Sequence, residues 1–516
     1  MLPLWRCWWR TESNPKGIGN VATEAEAWGV DGKSAGRGAD SRALSDNETA
    51  LAGVLQWLLA DVEKDAIAWR KECRWTTPTL IAVAILWVWL DAPTLTARYE
   101  RSLKIGRRLF RTVAKVSYPA FIKLLGRHTQ AALELMKPLL RGRMERSLAS
   151  HFLVAGFALF GVDGSRLALP RTESNEARFS PASSRRKRPR TATRKSGRKS
   201  PSRSRSAAAR AKYAKAKKAD SPQLWLTTMW HAGTGLPWDW RLGPSDSSER
   251  AHMLEMLDQL PANALVVADA GFVGYDYWKA ILDGGRHFVI RVGGNVKLLK
   301  RLGVARESEQ TVYLWPDKNA KKNQPPLTLR LIVVRDGRQE WYLVTSVLAK
   351  SQLSDADVAK VYRARWGIEL FYRNFKQTFG CRKLRSHAAD NTETEANWSL
   401  LGLWTMLLYA HAVQHRHHIP PQHLSVANVL QAYRTILREY KSNPDPGESL
   451  TELVIAAVTD DYTRTNKRSR NHPCKKAHEP TLKPVIAKAR KSQVQKHNNY
   501  MSHKRKTVYG VECHPA

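Results

Sequence analysis

The 516-residue sequence predicts an α/β protein in which a mixed sheet flanked by helices follows a helical N-terminal region. Three observations support this fold class. Apolar runs that end in an aspartate, at 151–163 and 264–269, have the length of buried strands. The segments 51–150 and 351–440 repeat apolar residues at three- and four-residue intervals, which is typical of helices. Between them, residues 286–350 are strand-like almost throughout.

The charge of the chain is strongly unbalanced. Lys and Arg number 84 against 46 Asp and Glu, which gives a formal net charge of +38 and a pI near 10.2. Such a basic protein gains affinity for duplex DNA by releasing the counterions condensed on the phosphates. RNA or an anionic membrane would satisfy the same charge, but the longest apolar run, Leu80–Leu90, is shorter than the roughly 20 residues of a helical span. We therefore expect a nucleic-acid partner, no membrane span and a cytoplasmic location.

The two ends of the chain are less informative than its middle. Residues 1–50 show no clear periodicity, and we expect a poorly ordered leader. In 51–150, basic residues lie between apolar ones at helical spacing, as in RSLKIGRRLFRTVAKV. This helical N-terminal region is either a DNA-end-binding domain or an ordinary helical domain with a solvated basic face. Residues 441–516 are polar and basic, and we expect a partly disordered tail.

The first part of the core, residues 151–285, begins with an apolar stretch, His151–Val162. We expect it to form a buried strand that ends in a turn at Asp163, with a second strand at Arg166–Leu169. The segment 181–220 that follows contains sixteen Lys or Arg residues between positions 185 and 218, and no Asp or Glu in that stretch. This composition cannot form a packed core, so we predict a disordered basic loop that clamps DNA nonspecifically.

The second part of the core is predicted to be interrupted. Residues 286–350 form a predicted β insertion, and residues 351–440 return to the core with a long helix. Trp315 or Trp341 in the insertion could stack on a flipped base, although packing in a core is the more common role of a tryptophan.

The most informative segment is VYRARWGIELFYRNFKQTFG, residues 361–380. Read as one continuous helix, it brings one tyrosine and four charged residues onto one face: Tyr362, Arg365, Glu369, Arg373 and Lys376. A carboxylate among cations is most often a surface salt-bridge cluster. The spacing Tyr-x2-Arg-x3-Glu-x6-Lys favours another interpretation, because four fixed residues at these intervals are rarely met by chance.

This spacing resembles the Y-x2-R-x3-E-x6-K signature of DDE transposases from bacterial insertion sequences of the insertion-sequence-four group. Asp163, in GVDGSRLALPR, and Asp269, in LVVADAGFVGYDYW, match the family's first two acids. The second of these segments is similar to the family motif of Asp followed by Gly and an aromatic residue. The resemblance covers residues 152–380 without the basic loop. It implies a ribonuclease H-like catalytic core interrupted by a β-strand insertion.

The resemblance also implies a metal-dependent enzyme that cuts DNA at transposon ends and transfers strands. Asp163, Asp269 and Glu369 would be the catalytic residues and would hold two divalent ions, Mg²⁺ or Mn²⁺. Carboxylate oxygens are hard ligands that suit these ions, and two such ions can stabilise both the attacking and the leaving oxygen of a phosphodiester.

The same resemblance implies how DNA would be held. Tyr362, Arg365 and Lys376 would contact phosphates near the transposon end, and Arg373, predicted on the same face, would join them. The implied partners are double-stranded DNA, as terminal inverted repeats and as target, and a second copy of the chain in a synaptic homodimer. The implied location is the nucleoid of a prokaryotic cytoplasm.

Two alternative functions stay open. The chain could be an inactive or domesticated relative that only binds DNA, although the presence of all three acids counts against this. It could also be a metal-dependent nuclease on the same fold, which would leave the Tyr-Arg-Lys set unexplained. Each aspartate alone has an ordinary structural explanation, because Asp-Gly is a common turn and Asp is a common helix cap.

Overall fold

The structure is a computed structural model of the chain, and part of the chain is described. The described residues are 46–69, 73, 75–110, 113, 115–182, 221–303, 307–336, 339–439, 449–459 and 483–509. Most of the predicted leader, most of the predicted basic loop and much of the predicted tail therefore lie outside the described residues.

Fourteen α-helices are found in the described residues. The first five are α1 (Asp46–Leu59), α2 (Thr77–Trp89), α3 (Leu95–Leu109), α4 (Tyr118–Ser147) and α5 (Glu173–Phe179). The next five are α6 (Glu249–Met256), α7 (Tyr275–Asp283), α8 (Asp317–Lys321), α9 (Asp355–Ala364) and α10 (Gly367–Arg373). The last four are α11 (Ala389–Arg416), α12 (Val426–Glu439), α13 (Leu450–Ile455) and α14 (Lys491–Tyr509).

The strands of the described residues form one large mixed sheet. They are β1 (Leu153–Val154), β2 (Phe157–Ala168), β3 (Gln223–His231), β4 (Leu236–Gly243), β5 (Ala264–Ala268), β6 (His287–Val292), β7 (Lys297–Lys300), β8 (Thr311–Leu314), β9 (Leu327–Asp336), β10 (Gln339–Thr345) and β11 (Val485–Lys488). Their order is β11-β7-β8-β9-β10-β6-β5-β2-β3-β4, with β1 paired to β2 outside this order. The predicted α/β class, a mixed sheet flanked by helices, is confirmed.

Strand β2 occupies the centre of the part of the sheet that carries the site. It pairs antiparallel with β3 and parallel with β5, and β5 pairs parallel with β6. The parallel register sets Gly161 opposite Val267. Continued by two residues, this register brings Asp163 beside Asp269, across the strand spacing of about 4.8 Å. Asp269 follows the carboxyl end of β5 and thus lies beside Asp163, in the middle of β2.

The predicted turn at Asp163 is wrong, because β2 runs without a break from Phe157 to Ala168. The long partner strand β3 explains the difference. Asp163 faces Thr228 in the antiparallel ladder, and the pairing continues to Ala168 opposite Gln223. Gly164 therefore sits inside a strand, and the predicted second strand at Arg166–Leu169 is the continuation of the first.

Helix α11 joins the N-terminal helices to the sheet. The Trp89 indole N–H at the end of α2 donates to the Gly402 carbonyl (2.8 Å), and the Trp398 indole donates to the Thr129 hydroxyl of α4 (3.0 Å). Because these helices share one apolar cluster with the sheet, the segment 51–150 packs directly on the rest of the protein. Its role as a DNA-end-binding domain stays a prediction.

The most apolar run of the chain is buried inside this cluster. Leu80–Leu90 lies within and just after α2, and each of its residues is almost fully covered, as the sequence predicted. Within the described ranges, no helix has both the length and the apolar character required to cross a bilayer.

Candidate active site

Two glycines let helix α10 approach strands β2 and β3 closely. A Cβ atom at Gly367 would lie 2.0 Å from the Trp230 ring of β3, and one at Gly161 would lie 3.3 Å from the same ring. Ile368, fully buried beside Gly161, fixes the contact. This packing holds the first turn of α10, which contains Glu369, against the strand that carries Asp163.

The helix that contains the signature is interrupted, which corrects the prediction of one continuous helix over 361–380. Helix α9 ends at Ala364 and α10 begins at Gly367. A π-helical turn follows at Asn374–Thr378, where the Phe379 amide donates to the Asn374 carbonyl (2.8 Å). Such turns insert an extra residue into the helical repeat, so the helical wheel does not give the true directions of the later side chains.

The structure brings together the three predicted acids, Asp163, Asp269 and Glu369. Burial, together with the charges of Asp269 and Glu369, raises the pKa of Asp163 to about 6. The Gly164 amide, 2.8 Å from the Asp163 carboxylate, and the charge of Arg365 oppose this shift. Asp269 caps the turn that follows β5 and accepts a hydrogen bond from the Gly271 amide at 2.8 Å. The charges of Asp269 and Glu369 therefore act on the Asp163 carboxylate.

Two of the four predicted DNA-binding residues flank Glu369 or connect to it. Arg365 Nη2 lies 3.2 Å from Glu369 Oε1, and the Arg365 guanidinium lies 5.8 Å from the centre of the Tyr362 ring. Burial alone would lower the pKa of Arg365, but the neighbouring Tyr362 and the three acids raise it overall. Its positive charge is thus held firmly within the acidic cluster.

The other two predicted DNA-binding residues behave differently from each other. Lys376 Nζ donates to the Ser165 hydroxyl at 2.5 Å, which ties the π-helical turn to β2 two residues beyond Asp163. Burial and the charge of Arg382 lower the pKa of Lys376, and the charge of Asp163 opposes them. Arg373 is the exposed last residue of α10, and the interactions of the described residues do not connect it to the acids.

A fourth carboxylate, Glu249, belongs to the same environment and was missed by the sequence reasoning. It is the first residue of α6, and a Cβ atom at Gly164 would lie 2.3 Å from its Oε1. Burial raises the pKa of Glu249 to about 7, and the charges of Asp163 and Asp269 contribute. A glutamate after an N-cap serine is ordinary in sequence, so its contact with Gly164 is visible only in the fold.

Tyr372 was also missed, and it fixes the backbone of Asp163. Its hydroxyl donates to the Asp163 carbonyl (2.6 Å) and accepts from the Thr228 amide (3.1 Å). These are the two residues that face each other across β2 and β3. Burial raises the pKa of Tyr372 far above its usual range, so the hydroxyl stays protonated and can donate.

Three tryptophans lie in or near the predicted stacking region. Trp315 is buried, with its indole N–H bonded to the Gln324 carbonyl at 2.8 Å, which is the packing role. Trp341 is half-buried, with its ring 6.0 Å from the Tyr362 ring. Trp366, beside Arg365, is 42% exposed. Stacking on a flipped base stays a prediction for Trp341.

The donor set of the cluster suits a hard divalent cation, because it consists of carboxylate oxygens. Burial and, to a smaller extent, the acidic neighbours destabilise the Asp163 anion, and a bound cation would offset this. In the described part of the chain, however, no three His, Cys, Asp or Glu side chains stand close enough to hold one ion together. One Glu369 oxygen is already paired with Arg365. The residues therefore fit such an ion by their chemistry. Glu369 would then be shared between that ion and Arg365.

A comparison with known protein families agrees with this site. Residues 162–404 match the family described as transposase DDE domain, a segment that includes all three predicted acids. The match covers just under half of the chain. It begins one residue before Asp163 and ends within α11.

Curated transposases of insertion sequences also resemble part of the chain. It is 28% identical over 177 residues to the transposase InsG for insertion sequence element IS4 of Escherichia coli (strain K12), covering 32% of this chain and 39% of the relative. It is 24% identical over 156 residues to a putative transposase for insertion sequence element IS4SA of Synechocystis, covering 29% and 43%. The chain thus spans about two fifths of the length of these relatives. The resemblance to DDE transposases of the insertion-sequence-four group is confirmed.

A search of solved structures returned a distant similarity. The piggyBac transposase in a synaptic complex with hairpin DNA aligns with a TM-score of 0.35 and 11% identity, covering 83% of this chain and 86% of that one.

Proposed function

We propose that this protein is a DDE transposase, which cleaves DNA at transposon ends and joins the ends to a target. The observation that carries the proposal is that Asp269, after β5, and Glu369, in α10, lie near enough to Asp163 of β2 for their charges to raise its pKa. The strand directions support a ribonuclease H-like core: β2, β3 and β4 form an antiparallel meander, and β5 and β6 extend it in parallel beside β2. A carboxylate cluster on such a sheet suits phosphodiester chemistry.

Asp163, Asp269 and Glu369 would hold divalent metal, with two Mg²⁺ or Mn²⁺ ions as the finer proposal. When bound, such ions activate the attacking oxygen of a phosphodiester displacement and stabilise the leaving oxygen. The protein's own part is to orient the three carboxylates. The Gly164 amide does this for Asp163, and the Gly271 amide does it for Asp269.

The cations around the acids would bind the DNA backbone. Arg365 would turn its unoccupied N–H donors toward a phosphate while Nη2 stays on Glu369. Lys376, held over β2 by Ser165, would contact a second phosphate near Asp163. A phosphodiester held between these two cations lies beside the acids. Cleavage would then use water as the nucleophile, and joining would use the freed 3′-hydroxyl.

The partners follow from this chemistry. We infer binding to double-stranded DNA as terminal inverted repeats and as target, and synapsis of two ends by a homodimer. The formal net charge of +38 supports a polyanionic partner. The nucleoid of a prokaryotic cell is the location that these partners imply.

The test is a strand-transfer assay with purified full-length protein, a duplex that carries the terminal repeat of the flanking element, and Mg²⁺ or Mn²⁺. Wild type is compared with Glu369→Gln and with Glu134→Gln, an exposed glutamate of α4 that bonds Gln130. We expect wild type and Glu134→Gln to cut and join, and Glu369→Gln to bind DNA without doing either.

The other outcomes separate the alternative functions. Cutting without joining by wild type would favour a metal-dependent nuclease on the same fold. Equal DNA binding by all three proteins with no cleavage in either metal would mean an inactive DNA-binding relative. Unchanged cleavage by Glu369→Gln would remove Glu369 from the site.

A further inference from the structure

A second cluster of charges, of opposite sign, lies where the N-terminal helices meet the segment after the π-helical turn. We define the arginine cluster as Arg98, Arg101, Arg385, Arg434 and Arg438. These arginines come from α3, from the loop before α11 and from α12, and they gather around the end of α2. Residues distant in sequence have thus been brought to one place by the fold.

The end of α2 holds several of these arginines in position. Arg385 Nη1 donates to the carbonyls of Ala92 (2.9 Å) and Pro93 (3.0 Å). Arg434 Nε and Arg101 Nη1 make longer contacts with the carbonyls of Trp89 (3.5 Å) and Asp91 (3.4 Å). Carbonyls at a helix end attract cations, which explains the position of the arginines. These contacts use few of the five N–H donors of each guanidinium.

Helix capping does not account for the number of charges. In the part of the chain that the structure describes, the carboxylates linked to the cluster are Asp91 and Glu395. Asp91 is paired with Arg438, and Glu395 accepts from the backbone amides of Arg385 (3.0 Å) and Ser386 (2.8 Å). Five arginines therefore face two acids, which leaves an excess of positive charge.

The excess of positive charge in the arginine cluster disfavours the fold. The cluster has a buried part, at Arg98, and an exposed rim. Burial lowers the pKa of Arg98, and the charges of Arg385 and Arg434 lower it further. The Arg98 Nε is buried without a hydrogen-bond partner among the described residues. Arg101, Arg385 and Arg438 are exposed at the surface. Mutual repulsion of this kind is relieved by an anion at the rim.

The arginine cluster is connected to the candidate active site by one short segment. The amide of Ala168, at the end of β2, donates to the Arg382 carbonyl (3.1 Å), and the Leu384 amide donates back to the Ala168 carbonyl (3.0 Å). Ala168 is five residues along β2 from Asp163, or about 17 Å. A duplex carries a negative charge every 1.7 Å or so, and one that reaches Lys376 has phosphates within that distance.

We propose that the arginine cluster binds backbone phosphates of the DNA that flanks the cleavage site, and that it thereby positions the duplex on the side of the N-terminal helices. This inference rests on the proposed function, because it takes DNA as the ligand. The guanidinium groups, already oriented by the α2 carbonyls, are suited to phosphate oxygens. The contact is independent of sequence, since no base is read.

The experiment measures DNA affinity by fluorescence anisotropy with a labelled 40-base-pair duplex, without divalent metal, over a range of KCl concentrations. The test variant is Arg98→Gln/Arg101→Gln. The control is Lys318→Gln/Arg335→Gln, which removes the same charge from exposed residues at the other end of the sheet. We expect the slope of log K against log salt to fall by about 1 to 2 in the test variant, and the control to keep the wild-type slope.

A charge-retaining variant, Arg98→Lys/Arg101→Lys, should recover most of the slope, because a lysine still binds a phosphate as a point charge. If the Gln double variant does not fold, Arg101→Gln alone gives the same readout, since this side chain is exposed, with a slope lower by about 1. A wild-type slope in the Gln variants, or an equal loss in the control, would overturn the proposal. Cleavage by Glu369→Gln would instead contradict the proposed function and leave this result intact.

Discussion

Two aspartates on nearby strands of the same sheet have opposite surroundings. Asp239 of β4 is 3% exposed and lies between cations: Lys137 Nζ at 2.5 Å, Arg141 Nη2 at 3.4 Å and Arg241 Nη1 at 3.2 Å. Asp163 of β2 faces the acids Asp269, Glu369 and Glu249, with Arg365 as a counter-charge. A carboxylate paired with cations supports the fold, whereas a carboxylate crowded by other acids is an arrangement that a cationic ligand completes.

The largest expected effect is on activity, at Asp163. Asp163→Asn keeps the shape of the side chain and removes its charge, so we expect strand cleavage to fall on the order of 1000-fold. The repulsion among the acids also falls, so the melting temperature of the metal-free protein should stay equal or rise. Calorimetry and a cleavage time course measure both. A clear loss of stability would mean that Asp163 is a structural residue.

The mirror-image result is expected at Asp239. Asp239→Asn leaves buried Lys137 without its counter-charge, and we expect a loss of about 3–5 kcal/mol in the free energy of unfolding. Chemical denaturation gives this value. Cleavage per folded molecule should be unchanged, because Asp239 lies outside the acid cluster. A selective loss of cleavage with normal stability would break the comparison.

A smaller effect is expected at Tyr372. Tyr372→Phe leaves the Thr228 amide and the Asp163 carbonyl without the bridging hydroxyl, which should cost about 1–3 kcal/mol of stability. The turnover rate should fall roughly tenfold with DNA affinity unchanged, because Asp163 shifts on its strand.

The matched control is Tyr277→Phe, since the buried Tyr277 hydroxyl has no hydrogen-bond partner among the described residues. Its stability and turnover should stay at the wild-type level. If the two variants behave alike, Tyr372 acts only by filling space.

The smallest expected effect is on the pH dependence of stability, which tests the acidic surroundings of Asp163. The folded pKa values of Asp163 (about 6) and Glu249 (about 7) lie above the ordinary values of 3.8 and 4.5. The folded protein therefore binds more protons than the unfolded chain between these values. The stability from these groups is fully present below about pH 4 and is lost as pH rises through 6 to 7.

Denaturation of metal-free protein from pH 4 to 8 measures this slope. We expect Glu249→Gln to flatten it in the upper part of the range, and divalent metal to reduce it. An identical slope in Glu249→Gln would show that Glu249 does not share the environment of Asp163.

The sequence alone was enough for the fold class, and it predicted the three acids. Apolar runs ending at Asp163 and Asp269 predict strands, and the Tyr-Arg-Glu-Lys spacing identifies Glu369, because these signals are local in the chain. The mixed sheet flanked by helices and the transposase DDE domain over 162–404 agree with them. The specific roles of the acids and of the four DNA-binding residues stay predictions.

Tertiary structure decided the features that depend on contacts between distant segments. Pairing with β3 carries β2 through Asp163 where the Asp-Gly pair suggests a turn. Contact between Gly367 and Trp230 accompanies the break between α9 and α10, which a helical wheel cannot represent. Glu249 and Tyr372 reach Asp163 only through the folded sheet. Local patterns depend on residues that are close in sequence. Burial and electrostatic coupling depend on which distant residues come into contact, and tertiary packing determines those contacts.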